Sequence, residues 1–465
     1  MKFTLSWLHD HLETDASVDE LCTALNAIGL EVEGVADPAD TLGNFVIARV
    51  LEAKPHPDAD KLRVCTVDFG ADKPIQVVCG APNARTGLVG VFAPEGTYVP
   101  GTDLLLKKAK IRGVESSGML CSERELELSD AHDGIIDLDA DLEERVGERY
   151  IDVAGLNDPV IEIAITPNRP DALGVRGVAR DLAAAGLGKL KKDPAAHAKK
   201  GAFPCPVDIA VTFDDDTRDA CPVFVGRYVR GVKNGPSPDW LQARLRAIGL
   251  KPISALVDIT NYISYDRARP LHVYDADKLA GTIHARLGRQ GEEFVALDDK
   301  TYAVTPAMTV IADDNGVLGF GGIMGGATTG ASDDTVNVLI ESAYFDPVRT
   351  ALTGRAAGIN SDARYRFERG IDPQSCIDGA DMAAAMVADL CGGEISHIKI
   401  AGTQPEGTIE IDFDPDLVEQ LTGHDVKTSE IKKTLEALGF DVDKKGKKNG
   451  KRFEITSPSW RPDIG

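Results

Sequence analysis

Three times along this 465-residue chain, apolar residues fall at helical spacing and run into a glycine followed by another apolar residue. The sets are Leu21, Leu25, Ile28, Gly29, Leu30; Leu241, Leu245, Ile248, Gly249, Leu250; and Ile431, Leu435, Leu438, Gly439, Phe440. Such a stripe marks one buried helix face, and the glycine suits a left-handed cap closed by a hydrophobic contact. Shared helix-end chemistry accounts for the recurrence as well as duplication does. Trp7, Leu8, His11 and Leu12 predict a shorter helix, and Ser17 with Glu20 supplies a capping box for the helix that Gly29 ends. A second echo sets TPNRPD (166–171) against SPSWRPD (457–463) and reads as a strand-to-helix turn used twice.

From about 40 to 150 the period shortens to strands separated by Gly, Pro and Asn: VIARVLEA, LRVCTVDF, PIQVVCGAP, LVGVFAPEG and KKAKIRGVESSGMLCSERELEL. Strands this short and this evenly spaced predict a small closed barrel of the OB type. Residues 159–188 then give a strand, the first of the two turns and a helix. Apolar periodicity is lost over 188–206, which reads as a linker. Strands at 207–211, 224–229, 283–286 and 308–312 alternate with helices from Asp239 and Ile253, and a helix over 380–390 ends at Gly392. Past residue 402 come short strands, helices and a lysine-rich turn, KKGKKNGKR, at 444–452. The fold class expected is α+β, in several domains, because one hydrophobic core stops growing at roughly 250–300 residues.

Candidate chemistry gathers in 321–373. GGIMGG (321–326) lets backbone pass close to a ligand, and a buried strand over 336–342 carries Glu341 near its end. Two roles are open for this carboxylate: a buried ion pair with Arg355, Arg364, Arg366 or Arg369, or a ligand-reading group. The net charge of −23 argues against a general nucleic-acid binder, so any RNA contact must be local. Residues 42–150 hold 13 Lys and Arg against 19 Asp and Glu, yet Lys107, Lys108, Lys110 and Arg112 cluster there as candidate phosphate contacts. A barrel that only braces its neighbours is the competing role. Eight cysteines without C-x-x-C spacing suit a reducing cytoplasm, and no apolar run approaches the roughly 18 residues of a membrane span.

GFGGIMGG, LIESAYFDP and RYRFERGIDP resemble, in this order, the B3/B4 region of the bacterial phenylalanine–tRNA ligase beta subunit family. LVDITNYISYDRARPLHVYDADKL (256–279) is similar to that family's stretch ending in His-x-[Phe/Tyr]-Asp. HPDADKL, VCGAPNAR and IRGVESSGMLCS resemble tRNA-binding OB domains, and 402 onward looks like a B5 domain. The resemblance implies a first domain split over 1–40 and 151–190, with the OB-type barrel of 40–150 inserted in it. An editing region over 205–400 and a truncated B5-like domain over 402–465 follow, the whole being the N-terminal part of such a subunit. It implies a cytoplasmic partner in a heterotetramer of two alpha and two beta subunits. There the alpha subunit uses ATP to attach phenylalanine to tRNA(Phe), and the beta subunit binds tRNA and hydrolyses mischarged Tyr-tRNA(Phe).

Site residues are implied in the same way. Glu341 matches the group that meets the tyrosine hydroxyl. Gly325 and Ala363 match positions where a larger side chain would fill the pocket, and Ser361 stands where threonine is frequent. His272 and Asn261 match residues at the ester end, with His272 either a general base or a structural ring bonded to a backbone carbonyl. Asp463 matches a magnesium ligand whose fellow carboxylates would lie beyond this sequence. Two rival functions stay open: an architectural, RNA-positioning subunit without hydrolysis, and a deacylase acting in trans.

Overall fold

A computed structural model describes residues 1–193, 200–444 and 452–464. Part of the expected linker (194–199), most of the lysine-rich turn (445–451) and Gly465 lie outside the described residues. The chain divides into two compact units, one formed by Val35–Val160 and the other by Met1–Gly34 with Ile161–Gly465.

In the first unit the strands Met119–Leu120, Val89–Ala93, Val46–His56, Ala59–Asp68 and Ile75–Cys79 hydrogen-bond in that order. The ends of this sheet approach each other. Ser117 N–H donates to Gln76 O at 3.0 Å, and Val78 N–H donates to Ser116 Oγ at 3.0 Å, so the sheet closes nearly into a barrel. Alternation fits the closure: Val50, Cys65, Val67, Val77 and Phe92 share the barrel core, while on the alternate face Ile47, Val91 and Ala93 enter a second core with Phe45, Leu126 and Ile151.

The second unit is α+β. One sheet runs His272–Asp275, Asn337–Tyr344, Val223–Arg230, Glu394–Ile395, with Lys399–Gly402 also paired to Val223–Arg230. Another runs Ile209–Thr212, Ile283–Leu287, Thr309–Asp313, Gly316–Phe320, Met324–Gly325. A core including Phe224, Tyr274, Ile311, Leu318, Leu339 and Ala343 lies between them. On its other face the first sheet shares a core with helices that include Val18–Ala27, Val175–Ala184, Ala255–Arg267 and Ser375–Cys391.

Local chemistry sets the element ends. Ser17 and Glu20 form the reciprocal capping box. The three expected glycines are all left-handed, with φ of 83° at Gly29, 87° at Gly249 and 92° at Gly439. In each case the next residue's N–H reaches back to Leu25, Leu245 or Leu435 O at 2.9–3.0 Å, closing the same cap. The two RPD turns also match: Arg169 grips Asp171 through Nε and Nη2 at 3.0 Å each, and Arg461 grips Asp463 through the same atoms at 2.7 and 2.9 Å.

Candidate functional site

Along Asn337–Tyr344, Val338 and Ile340 enter the helix-backed core, whereas Leu339 and Ala343 enter the core between the sheets. Glu341 lies between the latter two and faces their way, only 7% exposed. Its cross-strand neighbours are His272 on one side and Gly226 on the other. His272 and Tyr274, two residues apart, share that face, their rings edge to face with centroids 4.4 Å apart. Gly325 of the facing sheet abuts the imidazole, and a Cβ there would stand 2.4 Å from His272 Cε1 and 2.7 Å from Nε2. Any side chain at 325 must therefore displace the imidazole. Gly321 and Gly322 instead pack on Phe345 and Phe367, so this half of the glycine run is filled by aromatic rings.

Glu341 does not pair with any of the arginines expected for it. Arg364 donates to Glu368 at 2.9 Å and to Ile359 O, Arg366 lies against Asp362, and Arg369 donates to Tyr365 O and Glu368. Among the described residues Arg355 makes no ion pair with it either. The donor it has is Tyr274, whose hydroxyl donates a hydrogen bond to Oε2 at 2.5 Å. Burial raises the Glu341 carboxyl to about 7 against the opposing pull of that hydrogen bond and of the Arg269 charge. Arg269 is itself buried and donates to Ser342 Oγ at 3.2 Å and Ala343 O at 2.9 Å.

The His272 ring is partly exposed, but its Nε2 is enclosed and has no hydrogen-bond partner. The backbone carbonyl that a structural histidine would engage is thus not found at Nε2. Burial pulls the imidazole down to about 4, leaving it neutral at neutral pH.

Ser361 caps the Asp362–Phe367 helix, accepting from Arg364 N–H at 3.1 Å, and donates to Ile323 O at 2.7 Å. Its hydroxyl therefore ties the helix to the glycine run. Ala363 packs on the inter-sheet core beside the same elements. Asn261 sits half-buried on Ala255–Arg267, and no hydrogen bond joins it to His272 or Glu341 among the described residues. Sequence reasoning passed over Tyr274 and Arg269. The signal for Tyr274 was available, since a residue two places from His272 in a strand must share its face.

Asp463 accepts both bonds from Arg461 and a third from Asn168 at 3.1 Å. Burial pushes this carboxyl up, but those hydrogen bonds and the arginine charge hold it below its ordinary value. Among the described residues no group of three or more His, Cys, Asp or Glu could hold a metal ion. Among the described residues Asp463 therefore has no fellow ligands for magnesium.

In the barrel unit, a cavity of about 590 Å³ is lined by parts of VCGAPNAR and GMLCS, including Cys79, Gly80, Ser122, Arg124 and His132. Lys107, Lys108, Lys110 and Arg112 are exposed and lie on or beside the Ala109–Ile111 and Val114–Ser116 hairpin, outside that lining. Lys108 pairs with Glu115 at 3.1 Å, and Arg112 occupies a left-handed turn position at φ 49°. No helix among the described residues is long and apolar enough to cross a membrane.

Comparison with known proteins places these features. Residues 45–146 match the family described as putative tRNA binding domain, 220–392 the B3/4 domain, and 411–465 the tRNA synthetase B5 domain. An aminoacyl-tRNA synthetase chain with a tRNA-binding module is the class so defined. All of this chain aligns at 56% identity with a phenylalanine–tRNA ligase beta subunit of Cereibacter sphaeroides, and at 55% with that of Ruegeria pomeroyi. The chain belongs to the phenylalanine–tRNA ligase beta subunit family. It spans 57% of the length of either relative. It is also similar to an N-terminal fragment of the phenylalanyl-tRNA synthetase beta subunit from Pyrococcus horikoshii, over 66% of this chain and 84% of that one, at 19% identity. With a TM-score of 0.33 that likeness is too slight to bear on the assignment.

Proposed function

We propose that this chain forms the tRNA-binding and proofreading part of a phenylalanine–tRNA ligase beta subunit, and that the Glu341 site hydrolyses tyrosine wrongly esterified to tRNA(Phe). One observation carries the reading: a buried carboxylate lies cross-strand from a neutral imidazole and shares its face, with a glycine of the other sheet closing on that imidazole.

A pocket shaped for phenylalanine rejects tyrosine by only about 10², so a second site must supply the rest. Glu341 supplies it by accepting the phenol O–H, whereas a phenylalanyl ester would leave the buried acceptor unpaired. Gly325 and Ala363 keep room for the ring, and Ser361 fixes the wall they belong to. With no serine or cysteine nucleophile assigned, water attacks the ester carbonyl carbon and the tRNA hydroxyl leaves. His272 Nε2 is enclosed, so Nδ1 is the nitrogen that meets this water as general base, with Asn261 at the ester end.

The barrel is read as OB-type and inserted, and the expected partition into 1–40 with 151–190, 40–150, 205–400 and 402–465 is kept as the domain proposal. Lys107, Lys108, Lys110 and Arg112 are its phosphate contacts. Attachment of phenylalanine with ATP belongs to the alpha subunit, in a cytoplasmic heterotetramer of two alpha and two beta subunits. No step is assigned here to magnesium, because Asp463 is occupied by Arg461 and Asn168.

The test is deacylation of Tyr-tRNA(Phe) and Phe-tRNA(Phe) by the complete subunit with its partner, wild type against Glu341→Ala. A hydrogen bond to a charged acceptor contributes about 1.5–3 kcal/mol, so the ratio of the two rates is expected to fall by about one to two orders of magnitude. A ratio equal to that of wild type overturns the reading.

A further inference from the structure

In the resting site the hydroxyl-reading carboxylate already holds a phenol of the protein's own. Tyr274 donates to Oε2 of Glu341, while Oε1 has no hydrogen-bond partner among the described residues. We propose that Tyr274 is the positioning residue for tyrosine recognition: it holds Glu341 by Oε2, so that Oε1 alone is presented to the phenol of the aminoacyl ester. The inference rests on the editing reading given above.

Three features of the fold make Tyr274 suited to this. It is 2% exposed and belongs to the core that also holds Phe224, Leu339 and the facing sheet's Ile311 and Leu318, so it cannot swing away without opening that core. Register places it opposite Leu339 and Glu341 opposite His272, so its hydroxyl reaches Glu341 diagonally across the strand pair. The same ring packs edge-on against His272, so a single side chain orients both the group that reads the hydroxyl and the group beside the ester. Arg269 spends Nε and Nη2 on Ser342, Ala343 and Cys376 and makes no hydrogen bond to Glu341, its buried Nη1 having no partner among the described residues, so Tyr274 is the donor that holds the carboxylate.

The consequence is a difference in preorganisation. A carboxylate with both oxygens free can turn about its last torsion and meet a ligand in several ways. One oxygen tied down leaves a single acceptor direction, and a substrate hydroxyl is recognised by position as well as by presence. The groups facing Glu341 are Tyr274, His272, Arg269 and Cys221, with Asp313 acting on Tyr274. Of these, Tyr274 donates a hydrogen bond to the carboxylate, and losing it must move the pH at which the site responds.

The experiment uses the complete subunit with its alpha partner and compares wild type, Tyr274→Phe, Glu341→Ala and the double variant on Tyr-tRNA(Phe) and Phe-tRNA(Phe) across pH 5.5–8.5. For Tyr274→Phe the Tyr:Phe ratio of kcat/KM is expected to fall about 3- to 10-fold, less than for loss of the carboxylate itself, because Tyr274 acts through Glu341 and not on the substrate. The acid limb of that ratio should move to higher pH. In the Glu341→Ala background the same change should do nothing further. 3-Fluorotyrosine at 274 keeps the ring and the hydroxyl but makes a stronger donor, and should move the acid limb to lower pH. If Tyr274→Phe and the fluorinated residue both leave ratio and profile as in wild type, or if the two substitutions act additively, the proposal is wrong. A ratio that Glu341→Ala leaves unchanged would instead sink the editing reading itself.

Discussion

At the scale of single residues, two groups opposite each other on neighbouring strands carry opposite pH signatures. Glu341 has a folded value near 7 against 4.5, so between those pH values the folded chain binds more protons than the unfolded one. Stability from this group is therefore lost as pH rises through that window. His272 runs the other way: with a folded value near 4 against 6.5, it costs stability as pH falls below 6.5. The two partly cancel between pH 4.5 and 6.5, and Glu341→Gln separates them. At about 1.4 kcal/mol per pH unit, the variant is expected to match wild type near pH 4.5 and exceed it by up to about 3 kcal/mol at pH 8. Denaturant melts at both values check this, and an equal difference at the two would mean Glu341 is not charged against a burial penalty. Glu341 was legible in the sequence because a carboxylate at the end of an apolar strand breaks the pattern. Its partner was not, because four arginines nearby in sequence offered a charge match, of which the fold spends Arg364, Arg366 and Arg369 on Glu368, Asp362 and backbone carbonyls and leaves Arg355 at the surface. Only strand register, invisible in composition, brings Tyr274 to it.

At the scale of elements, what could be read was what is local. A capping box and glycine-terminated helices need only residues a few places apart, and they form as the spacing requires. The RPD echo likewise proved to be one arginine–aspartate clasp made twice, although nothing in the spacing signals that Asn168 of one turn reaches Asp463 of the other. The helix ends differ in their surroundings. Nothing lies within 4 Å of a Cβ built on Gly29, whereas one on Gly439 would come 2.4 Å from Trp460 Cζ2. Gly29→Ala is expected to cost about 1 kcal/mol, the strain of a left-handed alanine alone. Gly439→Ala should cost about 1–3 kcal/mol more, through displacement of the indole. Equal costs in chemical denaturation would show that the Trp460 ring yields freely.

At the scale of the whole molecule, charge decides how RNA can be held. A chain of net charge −23 repels a polyanion everywhere except where cations outnumber carboxylates locally. The four cations of 107–112 meet that condition unequally. Lys108 is paired with Glu115, so binding a phosphate there first requires breaking an ion pair, while no such pair is found for Lys107, Lys110 and Arg112 among the described residues. Each phosphate neutralised contributes about 0.9 to the slope of log K against log salt on a duplex and about 0.7 on a single strand. If the hairpin holds tRNA, replacing Lys107, Lys110 and Arg112 by Gln, Gln and Gly should flatten that slope by about 2–3. Glycine is chosen at 112 because the left-handed turn accepts it without strain. Adding Lys108→Gln should lower it by less than one further unit, because its charge is already matched. A slope unchanged in the triple variant would move the RNA contact off the hairpin and leave the cavity lined by Gly80, Ser122 and Arg124 as the surface to test next.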